Sequence, residues 1–255
     1  FQCLTAIAEY YHRRLLGDDK ALAWFLGKYA ISENTVSDLR IGLSTDDPIG
    51  PCLLETLLSQ GFTEEEVFST GTFVKTSNTP VPFFQSRITF PYWSRGQGAV
   101  YMIGRRTPWT PNDDHERAKY KKLMVHSQKH PYVRECIDNS VLYNEYCLSG
   151  NPSTLIITEG VTDAITTLER GYAIISPVTV RLKHADQERL CRQLKGFKGK
   201  VIFVQDNEVS QVGLRGALET AAVLCMSGID ARIGELPLGD GQAEARDILH
   251  ERYGI

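Results

Sequence analysis

From residue 154 to residue 237 the chain alternates two textures. Short, continuous apolar runs predict strands: TLIIT (154–158), YAIIS (172–176), KVIFVQD (200–206) and DARIGELP (230–237). Between them VTDAITTLERG (161–171), HADQERLCRQLKG (184–196) and GLRGALETAAVLCMSG (213–228) have helical spacing. A strand that is apolar at successive positions is covered on both faces, as strands are in a parallel sheet flanked by helices. The alternation therefore predicts βαβ units and a mainly parallel sheet. In such sheets ligands collect outside the carboxyl ends of the strands.

The first 150 residues read differently. Up to about residue 45 the spacing predicts short helices over LTAIAEYYHRRLL (4–16), KALAWFLGKYA (20–30) and ENTVSDLRIGLS (33–44). CLLETLLSQG (52–61) predicts another, closed by Gly61. Thr63 and Glu66 stand at capping-box spacing and open one more. Beyond residue 70, RITFPYW (87–93) and GAVYMIGRR (98–106) have strand character around the turn-rich SRGQG (94–98). TPWTPNDDHERAKYKK (107–122) reads as an ordered, irregular loop.

Composition changes this picture little: 255 residues, 42% hydrophobic and 23% charged, are ordinary for a globular chain. No apolar run approaches the ~18 residues of a membrane span. No signal segment opens the chain, which starts at Phe1-Gln2-Cys3 without methionine and so reads as a fragment or a processed product. The six cysteines form no CxxC pair, so no zinc site is expected within the chain. Scattered thiols in apolar company are expected to be reduced, which points to the cytoplasm. His126, His130 and Cys136 read on spacing as surface histidines and a stray thiol. Charge is more informative. Residues 87–134 hold ten Lys and Arg against three Asp and Glu, a net of +7, which leaves −10 for the rest of a chain at −3. That asymmetry fits one part holding phosphate and another holding metal, although a solvated basic face gives the same count.

The acidic side chains fall where the fold places ligands. Glu159 ends the first strand of the regular half, and Asp206 and Glu208 end the third. Asp163 lies one turn into the following helix, and Asp247 follows the last strand. If the first and third of these strands are neighbours, the carboxylates converge on one edge. Crowded carboxylates repel unless a divalent cation sits among them, and Mg²⁺ takes hard oxygens, waters and substrate phosphates. Singly, each acid could be a helix cap. In the order EGxxD, DxE and a later Asp, they read as a metal site.

These motifs resemble the Toprim domain of bacterial-type primases, type IA and type II topoisomerases and certain nucleases. Glu159-Gly160 with Asp163 resembles the primase form of the first motif. Asp206-Asn207-Glu208 stands where the family has DxD, Gly213 resembles the glycine that follows, and Asp247 the third acid, with His250-Glu251 beyond. Upstream, EYYHRRLLGDDKALAWFLGKYAISENTVSDLRIGLS and GFTEEEVFSTGTF resemble the opening of a DnaG-type primase core. SRITFPYWSRGQGAVYMIGRR and KYKKL resemble its strand-turn-strand and basic motif, giving Arg105 and Lys119. In NSVLYNEY the LY pair is present, but Asp138-Asn139-Ser140 stands where a lysine is usual.

The resemblance implies an α/β fold: residues 151–255 as a Toprim catalytic subdomain with a mainly parallel sheet. Residues 1–150 would form a mixed α/β basic subdomain with a helical start. It implies a nucleotidyltransferase that synthesises RNA primers on single-stranded DNA from nucleoside triphosphates with Mg²⁺ or Mn²⁺. Asp206 and Glu208 would be principal metal ligands, with Asp163 and Asp247 supporting, and Glu159 a ligand or general acid/base. Arg105, Arg106, Lys119, Lys121 and Lys122 would hold template or triphosphate. Tyr101 and Tyr120 could stack on bases, core packing being the commoner fate. A replicative helicase and a zinc-binding module outside this chain are the expected partners. A cytoplasmic place at the replication fork is expected, with no membrane. The rivals are a Toprim nuclease and a non-catalytic nucleic-acid-binding Toprim module.

Overall fold

Apolar positions at Leu4, Ile7, Ala8, Tyr11 and Leu15 give the first helix one buried face, and α1 runs Gln2–Leu16. Asp18 accepts from Ala21 N at 2.9 Å and starts α2 (Asp19–Tyr29). Ser32 caps α3 (Glu33–Asp38) in the same manner. The expected helix over 33–44 stops there. Arg40 takes a left-handed φ of 52°, and Gly42–Ser44 form β1, buried at every position. Gly42 is required, because a Cβ would stand 2.6 Å from Tyr11 on α1. Then come α4 (Leu53–Ser59) and α5 (Glu64–Ser69), which has the Thr63–Glu66 capping box read from the sequence. A small pair, β2 (Phe73–Val74) with β3 (Val81–Pro82), had no clear sequence signal.

The computed structural model describes residues 1–44, 52–75, 80–177, 182–205 and 211–234. In its first half β4 (Arg87–Ser94) and β5 (Gly98–Arg106) pair antiparallel, Ile88 opposite Arg105 and Tyr92 opposite Tyr101. Tyr120–Lys122, expected to be loop, is β6 and pairs with the end of β5, Tyr120 opposite Arg105. The sheet order is β1-β4-β5-β6. Tyr-Lys-Lys has no apolar alternation; its pairing comes from the neighbouring strand.

The second half follows its sequence pattern closely: β7 (Thr154–Thr158), α6 (Val161–Glu169), β8 (Ile174–Ile175), α7 (His184–Gln193), β9 (Lys200–Val204), α8 (Val212–Met226) and β10 (Asp230–Gly234). The order is β10-β9-β7-β8, and every pair is parallel. Leu155, Ile157, Val201 and Phe203 from the strands meet Leu190, Ala221 and Leu224 from the helices in one core. The fold class is thus as read: α/β, with a parallel sheet preceded by a mixed unit that begins with helices.

The chain divides into two compact units, Phe1–Val141 and Leu142–Ile255. The sequence placed that boundary at 150/151. The structure moves it because residues 142–150 pack on the second unit. Tyr143 exchanges both backbone bonds with Ser176, at 2.7 and 3.1 Å, and Asn144 Nδ2 donates to Ile174 O at 2.8 Å. Leu142 lies in the second core. Among the described residues no helix is long and apolar enough to cross a membrane.

Candidate functional site

In the second unit the chain leaves β7 through α6 toward β8 on one side. It leaves β9 through α8 toward β10 on the other. Adjacent parallel strands whose connections diverge leave a crevice at their carboxyl ends, the usual ligand position in open α/β sheets. The condition set by the sequence, that these strands be neighbours, is met. They also end level: Thr158 is in register with Val204. Glu159 and Gln205 follow those residues side by side, and Gln205 Nε2 donates to Ile157 O at 3.4 Å. Asp206, Glu208 and Asp247 lie outside the described residues.

Glu159 is half-buried, and its carbonyl oxygen accepts from Ser176 Oγ at 3.1 Å. Gly160 is the N-cap of α6, and Asp163 lies in its first turn. The Asp163 carboxylate folds back over the glycine: a Cβ at position 160 would stand 2.3 Å from Asp163 Oδ2. This gives EGxxD a steric reason. A side chain on the residue after Glu159 would displace the Asp163 carboxylate from this position. A carboxylate there also sits at the positive end of the helix dipole. Two hard oxygen donors at a crevice mouth suit a hard divalent cation. Among the described residues no three His, Cys, Asp or Glu side chains form a metal cluster. Gly213 is buried in the first turn of α8.

The basic candidates belong to the first unit and divide by role. Lys121 is committed inward: its ammonium pairs with Glu116 and lies 4.3 Å from the centre of the Phe83 ring. Glu116 is buried and also accepts from Arg87 Nε at 2.6 Å. Arg87, fully buried, donates further to the carbonyls of Gly104, Ala118 and Glu116 at 3.3, 3.1 and 2.8 Å. This trio pins the 107–118 segment to the sheet. Two of the segment's basic residues are therefore structural, which the charge count could not reveal. Lys119 and Lys122 are exposed. Arg106 Nη2 bonds Asn112 Oδ1 at 2.9 Å, and its backbone N–H donates to Lys119 O at 2.9 Å.

Arg105 is unlike the others. Its guanidinium lies 5.3 Å from the ring centres of both Tyr29 and Tyr120. Its Nε and Nη1 are buried without a hydrogen-bond partner among the described residues. Ring contacts of this kind contribute about 1 kcal/mol, rising to ~2 when desolvated. Tyr29 escaped the sequence reading because it looks like one more apolar-face position of α2. Tyr101 is core: its hydroxyl donates to Leu123 O at 3.0 Å, and burial pushes its pKa up. At 138–140, where a lysine is usual in the resembled family, Ser140 N donates to Asp138 Oδ1 at 2.9 Å in a local turn. His126 Nδ1 lies 2.8 Å from Val133 O, and the His130 ring meets Tyr132 edge to face.

Residues 10–126 match the family model described as the DNA primase catalytic core, N-terminal domain. A DNA primase of Clostridium acetobutylicum is 26% identical over 234 residues, 91% of this chain and 36% of that protein. The chain thus spans about a third of the length of the curated relative it matches. The solved structures carry the likeness across both units. The RNA polymerase domain of Mycobacterium tuberculosis primase DnaG, in complex with double-stranded DNA, gives a TM-score of 0.72 at 20% identity. That alignment covers 97% of this chain and 78% of the other. The DnaG primase catalytic domain bound to single-stranded DNA gives 0.69 at 19%, over 99% and 76%. Residues 10–126 are therefore similar to the N-terminal domain of the DNA primase catalytic core. The chain as a whole has the fold of the DnaG catalytic core, as its motifs implied.

Proposed function

We propose that the chain is the RNA polymerase core of a DNA primase. It makes short RNA primers on single-stranded DNA, with the Toprim-type acidic edge as its catalytic centre. The observation that carries this is the level ending of β7 and β9 at the switch of strand order, with Glu159 at the first end and the Asp206-Asn207-Glu208 run directly after the second. The DNA-bound relatives support a nucleic-acid partner.

In the reaction the 3′-hydroxyl of the growing primer attacks the α-phosphate of a nucleoside triphosphate. The new P–O bond forms as the bond to the β-phosphate oxygen breaks, and pyrophosphate leaves. Glu159, Asp163, Asp206, Glu208 and Asp247 would hold Mg²⁺ or Mn²⁺, which supplies Lewis acidity and offsets the phosphate charge. Glu159, half-buried at the strand end, would alternatively act as the general acid/base. Arg105, Arg106, Lys119 and Lys122 present positive charge to template and triphosphate, while Lys121 acts through the loop that it helps to fix. A replicative helicase and a zinc-binding module on a separate segment would complete the working enzyme at the fork.

One assay tests this. Radiolabelled ribonucleotides, a single-stranded template and Mg²⁺ or Mn²⁺ are incubated with the chain, and products are resolved on a gel. Template-dependent short RNA is expected. Template cleavage without RNA would make the chain a nuclease, and binding without either product a non-catalytic module.

A further inference from the structure

Two buried guanidinium donors with no hydrogen-bond partner among the described residues need an explanation. For Arg105 the surroundings are two aromatic faces. Tyr120 comes from the strand beside it, as cross-strand register dictates. Tyr29 comes from the last turn of α2, immediately before Ala30, whose left-handed φ of 49° ends the helix. Tyr29 also packs against Phe25, ring centres 5.1 Å apart, and Phe25 is fully buried. The second jaw is therefore anchored in the core rather than carried on a mobile side chain. A planar cation held between two rings keeps its plane fixed while its charge remains available to an anion.

We propose that Tyr29 is a positioning residue for nucleic-acid binding. With Tyr120 it clamps Arg105, so that the guanidinium is presented pre-oriented to one phosphate of the single strand. This rests on the reading of Arg105 as a template contact and adds how that contact is set. An unclamped arginine loses rotamer freedom on each binding event, and prior orientation removes that loss. The ring faces do the holding, so the clamp requires an aromatic residue at position 29. Leucine would fill much of the space without a π face to hold the cation.

The test uses the full chain and a fluorescently labelled oligo-dT, with affinity measured by anisotropy over a range of salt. Arg105→Ala is expected to weaken binding on the order of tenfold, the scale of one lost charge-assisted contact. It should also flatten the logarithmic salt slope by about 0.7, one phosphate on a single strand. Tyr29→Leu is expected to do nearly the same, Tyr29→Phe to restore wild-type affinity and slope, and Tyr29→Leu/Arg105→Ala to be no weaker than Arg105→Ala alone. If Arg105→Ala binds less well while Tyr29→Leu binds normally, the clamp is wrong and the template contact stands. If Arg105→Ala itself changes neither affinity nor slope, the reading beneath it fails. Additive losses in the double variant, or a Tyr29→Phe as weak as Tyr29→Leu, would show that Tyr29 serves general packing, and would overturn the proposal even if Tyr29→Leu is poorly folded.

Discussion

Arg87→Ala tests the internal logic of the first unit. The side chain has no exposure, and its guanidinium makes four hydrogen bonds: one to the Glu116 carboxylate and three to the carbonyls of Gly104, Ala118 and Glu116. Removing it leaves a buried carboxylate with Lys121 as its remaining ion-pair partner. Removing one partner of a buried pair costs roughly 3–5 kcal/mol. With an m-value of about 2 kcal/mol per molar urea, a loss of ~4 kcal/mol moves the unfolding midpoint down by about 2 M. All three tryptophans, Trp24, Trp93 and Trp109, lie in this unit, so intrinsic fluorescence in a urea titration reports on it selectively. Glu116→Leu strands Arg87 and costs a similar amount. The pair Arg87→Met/Glu116→Leu strands no charge of that pair, and it should lose at least ~2 kcal/mol less than the two single losses combined. A loss below ~1 kcal/mol for Arg87→Ala, or additive losses in the double variant, would refute the claim that this ion network holds the 107–118 segment.

Other outcomes follow from the same geometry. Glu159→Gln should abolish primer synthesis and leave the melting temperature nearly unchanged, since it removes charge from a repulsive cluster; full activity would dismiss the site. Gly160→Ala has an ordinary backbone conformation (φ −102°) but a Cβ clash with Asp163. It should displace that carboxylate and raise the Mg²⁺ concentration needed for half-maximal synthesis, checked by metal titration. Asp18→Ala should cost about 1 kcal/mol through loss of the α2 cap, measured by urea unfolding. Burial pushes the Cys3 thiol up to about 12 and Cys147 to about 11 from 9.0. Both should resist alkylation near neutral pH, while exposed Cys52, Cys136 and Cys225 react, as read by mass spectrometry. Their folded pKa lies above the unfolded one. Their contribution to stability is therefore complete below about pH 9 and is lost as pH rises toward 11–12.

The legibility of the fold tracked apolar content. TLIIT and KVIFV declared themselves because a buried parallel strand has no polar face, and the order of acids on that frame located the edge. Gly42–Ser44 reads as helix because LRIGLS carries acceptable helical spacing, and only pairing with β4 makes it a strand. Tyr120–Lys122 is a strand by partner rather than by composition. The placement of Glu159 at a strand end and of Gly160 and Asp163 at the start of the next helix could be read from spacing, whereas the division of the basic residues could not. Arg87 and Lys121 differ from Lys119 and Lys122 only in burial against Glu116, a contact made by a loop that has no periodicity.

The bridge between Tyr143 and Ser176 has a practical consequence for isolating the second unit. A cut at residue 150, the boundary expected from the sequence, would remove the Leu142–Gly150 flap and bare the backbone groups of Ser176 and Ile174 along one sheet edge. It would also remove Tyr143, which is 2% exposed, and losing a buried aromatic of that size costs about 3–5 kcal/mol. The excised piece would then carry a sticky margin and a hole, and would tend to pair with copies of itself. Cutting before Leu142 leaves the flap as a built-in cover strip. Fragments starting at 142 and at 151 should accordingly separate on gel filtration into a monomer and an aggregate.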